Sequence, residues 1–322
     1  MARSAYVQWL VAMEQWVISP DLAGQKDVVL GEVDGVLLRA DFPAPPDDYA
    51  WVLAGTPEKP ELIGIRNFWL RAYLSTPLDT HPSIDDQRQP TEEEIAEAIR
   101  LYDIATAAAE KVLTNFLDMA AARHKRFLGR PASGLERQAR LEGTQARLYI
   151  GEPPKVAKVG QPMRTRAFVH QANTPALATA DVAEISAAIT AGQPPDLAWQ
   201  LYGRAHRLFV LEQDHRQAIL DAAIAVEVAI DGTYRRVGKG QPHIELLIKY
   251  VRLEDQLKAG AAAVFGKSYA DVDPKAHEQI KELLKERNDI VHEGASGQLE
   301  AADLSKKLSA VQALLTWLDL QA

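Results

Sequence analysis

A chain of 322 residues with 47% hydrophobic and 25% charged side chains is long enough for two ordinary globular domains and can bury most of its apolar surface without covalent staples. It contains no cysteine, which excludes disulfides, thiolate metal sites and cysteine nucleophiles and fits a reducing compartment. The net charge of −8 argues against a protein that coats duplex DNA non-specifically, although a local cationic cleft on an acidic body can still hold phosphate.

At the N-terminus Tyr6, Leu10, Met13 and Val17 recur at helical spacing, with Gln8, Glu14 and Gln15 interrupting the apolar stretch. The expectation is an amphipathic helix rather than a signal peptide. Val28 to Asp41 reads as a hairpin around Asp34-Gly35, a dipeptide suited to a type I′ turn. The proline-rich segment Phe42 to Asp48 is a loop. Ala50 to Ala54 and Leu62 to Tyr73 are strand candidates, and Ser75 to Pro90 is a polar connection. Trp9, Trp16, Trp51 and Trp69 sit in apolar patterns and read as core.

A long helix is expected next. Thr91 and Glu94 form a capping box, and Glu92 and Glu93 suit the positive end of the helix dipole. Ile95, Ile99, Tyr102, Thr106, Ala109, Leu113, Phe116 and Ala120 follow alternating steps of four and three. Such a heptad seam packs within its own domain or against a second subunit. Strand candidates at Ala146 to Ile150 and Thr165 to His170 precede a short helix, Asp181 to Ala191, placed to dock on the C-terminal helices. Gln193-Pro194-Pro195 then breaks the chain.

The expected fold is therefore an α+β region over residues 1–192, with its long helix near 91–125, followed by an all-α bundle of about five helices over 196–322. No run of about eighteen apolar residues occurs, so the protein is expected to be cytoplasmic with no membrane partner.

The bundle's helices are expected at Asp196 to Glu212, Asp214 to Arg235, Ile244 to Lys258, Asp273-Pro274 to Gly294, and Leu299 to Leu320. The second is apolar on most faces and should be central. In the fourth, Ile280, Leu283, Leu284, Ile290 and Val291 form the core stripe, and Arg287 falls in its middle where leucine is called for. A guanidinium there costs several kcal/mol unless it is paired or faces a polar cleft. Asn288 and His292 share a face beside the stripe, whereas Arg287 and His292 lie roughly 140° apart on a straight helix. They meet over one substrate only if the helix ends near Val291 or a second subunit brings a matching pair.

An arginine, a polar residue and a histidine in this order, at the end of the fourth helix of a small bundle, resembles the signature of the HEPN superfamily. Here it reads Arg287-Asn288-Asp289-Ile290-Val291-His292. The stretch Glu212 to Ile230 is also similar to the helix upstream of that motif in the Apea-like branch. The resemblance spans the chain from about Leu197 onward. It implies metal-independent RNA cleavage at a site formed across a homodimer, with Arg287, Asn288 and His292 as catalytic residues and no cofactor. HEPN ribonucleases often act as toxins or phage-defence effectors, which adds a regulatory or antitoxin protein as an expected partner.

The residue types suit that chemistry. Histidine ordinarily titrates near neutrality and can shuttle the proton of an attacking 2′-hydroxyl. Arginine can clamp the phosphate and stabilise its developing charge. Glu227, another charge among alanines and valines, pairs with or orients Arg287, or else has a partner elsewhere or lies at an exposed edge. Arg235, Arg236 and Lys239 form a basic loop that could touch RNA. Read without the family, the same residues describe Arg287 salt-bridged in the bundle and His292 capping its helix. A non-catalytic module that binds nucleotide or RNA, or a dimerising scaffold, is the corresponding alternative.

Overall fold

In the computed structural model, which describes residues 5–46, 50–75, 91–124, 130–131, 147–150, 176–239, 241–293 and 301–321, the N-terminal stretch is a strand, not a helix. Strand β1 (Ala5–Ile18) pairs antiparallel along β5 (Pro60–Leu74). Val7, Trp9, Val11 and Met13 point to one side of the sheet, where they join the hydrophobic core. Tyr6, Gln8 and Leu10 are buried as well. With both faces buried, the apolar residues spread over every position, and an accidental helical spacing outweighs the alternation in a reading of the sequence.

The hairpin forms as expected from β2 (Val28–Val33) and β3 (Val36–Asp41). Its turn residues Asp34 and Gly35 both take positive φ, 55° and 75°, as a type I′ turn requires. Strands β3 and β4 (Ala50–Gly55) pair with successive stretches of β5 on the edge away from β1. The short strands β6 (Arg130–Pro131) and β7 (Arg147–Ile150) pair with β1. All of these strand pairings are antiparallel. The Thr165 to His170 candidate lies outside the described residues.

Helix α1 (Glu92–His124) begins at the expected box: Thr91 N donates to Glu94 Oε2 at 2.7 Å, and Glu94 N donates to Thr91 Oγ1 at 3.2 Å. From Ala109 on, the seam is buried in the core shared with the sheet, but Ile95 and Ile99 are exposed. Helix α2 (Thr179–Thr190), expected beside the C-terminal helices, groups with the sheet instead. Its Val182, Ile185 and Ile189 belong to the core of the sheet. Gly31, at a bulge in β2 with φ 149°, makes room for it, since a Cβ there would lie 2.6 Å from Ile189 Cγ2.

On the other side of the sheet, Arg71 is buried with its charge answered on three sides. It donates to Asp27 Oδ1 at 2.7 Å, to Gln8 Oε1 at 3.3 Å and to Asp41. Asp27 has φ 53°, a left-handed conformation that costs a non-glycine residue about 1–2 kcal/mol. Its N–H donates to Asp41 Oδ1 at 2.8 Å, so the network that neutralises Arg71 also holds the strained residue.

The residues group into two units, Met1–Ala120 with Leu128–Pro194, and Ala121–Phe127 with Pro195–Ala322. The second is helical. Helix α3 (Leu197–Arg207) starts where Asp196 accepts from Trp199 N and runs into a π-turn, Leu208–Glu212. Helix α4 (His215–Val237), capped by Asp214, buries Ala218, Ile219, Ala222, Ala223, Val226 and Ile230 and is the central helix expected.

The third expected helix, Ile244 to Lys258, is instead broken. Helix α5 (Pro242–Tyr250) stops at the extended residues Val251 and Arg252. A second run, α6, comprises Leu253–Asp255, the π-turn Gln256–Gly260 and Ala261–Phe265. The break has no glycine or proline. The buried Gln256 amide supplies the stop, donating to the carbonyls of Leu247, Ile248 and Val251 at 3.4, 3.3 and 2.8 Å. Helix α7 (Tyr269–Val272), α8 (Pro274–Glu293) and α9 (Ala301–Asp319) complete the unit.

Asp41→Ala leaves the buried Arg71 with only the half-exposed Asp27 for charge. It should cost about 3–5 kcal/mol, as breaking buried pairs does, read as a fall in the urea midpoint followed by tryptophan fluorescence.

Candidate functional site

Helix α8 starts as the sequence dictates. Asp273 Oδ1 accepts from Ala276 N at 3.0 Å, and Pro274 takes the first helical position, where its missing N–H costs nothing. Ala276, Ile280, Leu283 and Ile290 form its buried side. Leu284 is only partly buried and Val291 is 54% exposed, so the stripe is narrower than expected at its C-terminal end.

Arg287 keeps 30% of its side-chain surface exposed. Its Nη2 lies 3.5 Å from Glu227 Oε1 on α4, and Nη1 donates to Asn288 Oδ1 at 3.0 Å. The guanidinium is thus at the wall of a polar cleft of about 760 Å³. Glu227 lines one side, Arg252, Leu253 and Glu254 another, and α8 supplies Glu278, Lys281, Glu282, Leu284, Lys285, Arg287 and Asn288. A charged residue on the stripe, with Glu227 as its partner, is how the sequence anticipated this wall.

His292 is elsewhere. The helix does not end near Val291 but continues through Glu293, which keeps Arg287 and His292 roughly 140° apart around the axis. His292 is exposed and does not line the cleft. Within one chain the two side chains do not converge, and Asn288 is the residue that shares the arginine's cleft.

The basic loop also differs from expectation. Arg235 and Arg236 lie in the last turn of α4. Arg235 is tied to Asp231 at 2.8 Å and Glu245 at 2.6 Å, and Arg236 donates to Thr233. Lys239 is exposed beyond the helix end. None of the three lines the cleft. The cations that do, Arg252, Lys281 and Lys285, went unnoticed in the sequence. Their signal was present on α8: Lys281, Lys285, Asn288 and His292 occupy positions i, i+4, i+7 and i+11, which form one line along a helix.

Two further features fix the helix. Lys307 on α9, itself buried, donates to Glu286 Oε1 at 2.6 Å, so the residue next to Arg287 is locked into the bundle. His277, one turn into α8, is also buried. Burial holds its imidazole below the ordinary histidine value, and Lys258 and Lys281 push the same way against Glu254 and Glu278. Among the described residues no group of three or more histidine, aspartate or glutamate side chains is gathered to hold a metal, and no helix is long and apolar enough to cross a membrane.

The neighbouring ion pairs should differ sharply in energy. Lys307→Ala removes a buried cation and leaves Glu286, 28% exposed, without its partner and should cost about 1–3 kcal/mol, whereas Glu227→Ala breaks a more exposed pair and should cost under about 1 kcal/mol. Chemical denaturation of the two variants checks the order. His277 binds its proton more weakly in the fold than in the unfolded chain. The stability linked to it is therefore complete above pH 6.5, the ordinary value, and is lost as pH falls below it. His277→Gln should flatten that part of the pH–stability profile.

Comparison of the chain with models of protein families, with curated proteins and with solved structures finds no match; the functional reading rests on the residues themselves.

Proposed function

We propose that the C-terminal unit is a HEPN-type endoribonuclease of the Apea-like kind, cleaving RNA by transesterification at a site that two chains share. The observation that carries this reading is Arg287, set on the apolar stripe of α8 yet opening with Asn288 into a polar cleft. An arginine that served only to fill the bundle would be a poor choice beside leucine. Glu227 holds the guanidinium in place and Asn288 is hydrogen-bonded to it, a preorganised donor pair for an anion.

In the proposed reaction His292 takes the proton of the ribose 2′-hydroxyl as its oxygen attacks the adjacent phosphorus. The bond from phosphorus to the 5′-oxygen breaks, and a second general acid, or the same imidazole in a later step, returns a proton to that oxygen. The products are a 2′,3′-cyclic phosphate and a 5′-hydroxyl. Arg287 stabilises the charge gathering on the non-bridging oxygens, and Asn288 orients the guanidinium or the sugar. No step requires a metal or another cofactor.

Since His292 does not line the cleft of its own chain, in this reading the imidazole over Arg287 comes from a partner in a homodimer built through the C-terminal unit. A two-fold interface makes every such contact twice. The exposed Val291, between Arg287 and His292, suits an interface of that kind. A toxin or phage-defence effector, restrained by the N-terminal unit or by an antitoxin partner, is the setting that fits a ribonuclease of this type. The ion pair of Arg287 with Glu227 also favours a second reading, a non-cleaving module or dimerising scaffold in which the guanidinium is satisfied without substrate.

The two readings separate on one variant. His292→Ala and Arg287→Ala should each lower cleavage of single-stranded RNA by about 10²–10⁴-fold with unchanged helical circular dichroism. The double variant should be little worse than either, because both groups act on one transition state. Cleavage should persist in EDTA, and strands lacking the 2′-hydroxyl should be inert. Full activity in His292→Ala would falsify the assignment.

A further inference from the structure

The cleft beside Arg287 holds four cations and four carboxylates, a balance that by itself attracts no anion. The pairing within it is uneven. Glu254 lies 3.2 Å from Lys258 and 4.0 Å from Lys281, and Glu278 is 3.3 Å from Lys281. Glu227 faces Arg287, and Glu282 accepts from Gln279 Nε2 at 3.3 Å. All four carboxylates and two of the cations are thereby engaged. The side chains of Arg252 and Lys285 make no hydrogen bond or ion pair among the described residues, and both are exposed. Arg252 owes its place to the chain break after α5, where Gln256 turns the backbone and leaves residue 252 extended.

These two free charges line the same cleft as Arg287 and Asn288. Lys285 and Asn288 fall on one line of α8. Lys285 precedes Asn288 by three residues, about 4.5 Å along the axis, so it stands one turn from the Arg287–Asn288 pair along the same cleft. Arg252 reaches the cleft from the facing segment. We propose that the cleft is a track for the backbone of single-stranded RNA flanking the scissile phosphate, with Arg252 and Lys285 each holding a phosphate next to the one cleaved. This rests on the ribonuclease reading, and it adds that long substrates gain affinity through two residues that take no part in the chemistry. Arginine and lysine are both suited to the task, one as a planar fork and the other as a mobile point charge.

The probe is a fluorescein-labelled twelve-nucleotide 2′-O-methyl oligouridylate, which cannot be cleaved, read by fluorescence anisotropy on the full chain over a range of salt concentrations. Arg252→Glu with Lys285→Glu should weaken binding at least tenfold, and the slope of log Kd against log salt should fall by about 1–1.5, the share of two phosphate contacts on a single strand. Lys267→Glu, an equal charge change on an exposed residue outside the cleft, should stay within twofold of the wild type. If charge reversal disturbs the bundle, Arg252→Gln with Lys285→Gln should still weaken binding by about threefold to tenfold.

An affinity and salt slope equal to those of Lys267→Glu would overturn the track. So would equal competition by a polyglutamate peptide of the same charge, which would mark the cleft as a docking site for acidic protein. The two proposals fail separately: binding lost in Arg252→Glu/Lys285→Glu but no cleavage by the wild type sinks the ribonuclease and keeps the track. Cleavage abolished by His292→Ala with binding untouched by the double variant does the reverse.

Discussion

A guanidinium on the apolar side of a helix must find a counter-charge or an opening to water, and in this protein Arg287 imposes that constraint on its surroundings. Helix α8 cannot roll to expose it, because Ile280, Leu283 and Ile290 are buried on nearly the same side and Lys307 holds the adjacent Glu286. The bundle accommodates the charge by opening. Glu227 comes from the central helix, Asn288 from the same turn, and the broken segment around Arg252 leaves space in front. The cleft exists because the helix is fixed and the charge is not removed.

The N-terminal unit meets the same requirement by the opposite route. Arg71 is enclosed in a sheet face, with Asp41, Asp27 and Gln8 taking its donors. A side chain held on three sides and shut off from solvent is out of a ligand's reach, and it links strands β1, β3 and β5 through Gln8 and Asp41. Arg287 has one carboxylate at 3.5 Å and an open face. Burial and satisfaction separate a structural arginine from one that can still act, and the two units display one of each.

Much of this was legible in the sequence wherever a local rule governs. Asp34-Gly35, the box of Thr91 with Glu94, and the start at Asp273-Pro274 each specify a turn or terminus through atoms a few residues apart, and each forms where expected. Failures came where distant partners decide. β1 looks helical because burial on both faces erases alternation. The break after Tyr250 depends on the side chain of Gln256, several residues on. Helix α2 joins the sheet because Gly31, far away in sequence, admits Ile189. Within the site, Arg287 and its pairing with Glu227 were readable as violations of pattern. Lys285 shared a helix line with Lys281 and Asn288, but neither it nor the extended Arg252 could be assigned to a site, since an exposed cation breaks no rule until the opposing wall is known.

The central claim is that Arg287 of one chain works with His292 of another. Mixing inactive Arg287→Ala chains with inactive His292→Ala chains, after unfolding and refolding them together, tests it directly. In a two-fold dimer the mixed species carries one site with both residues intact and one with neither. RNA cleavage should therefore reappear at up to about a quarter of the wild-type level, since half of randomly paired dimers are mixed and each has one working site. A mixture that forms dimers but cleaves no better than its components would contradict a shared site.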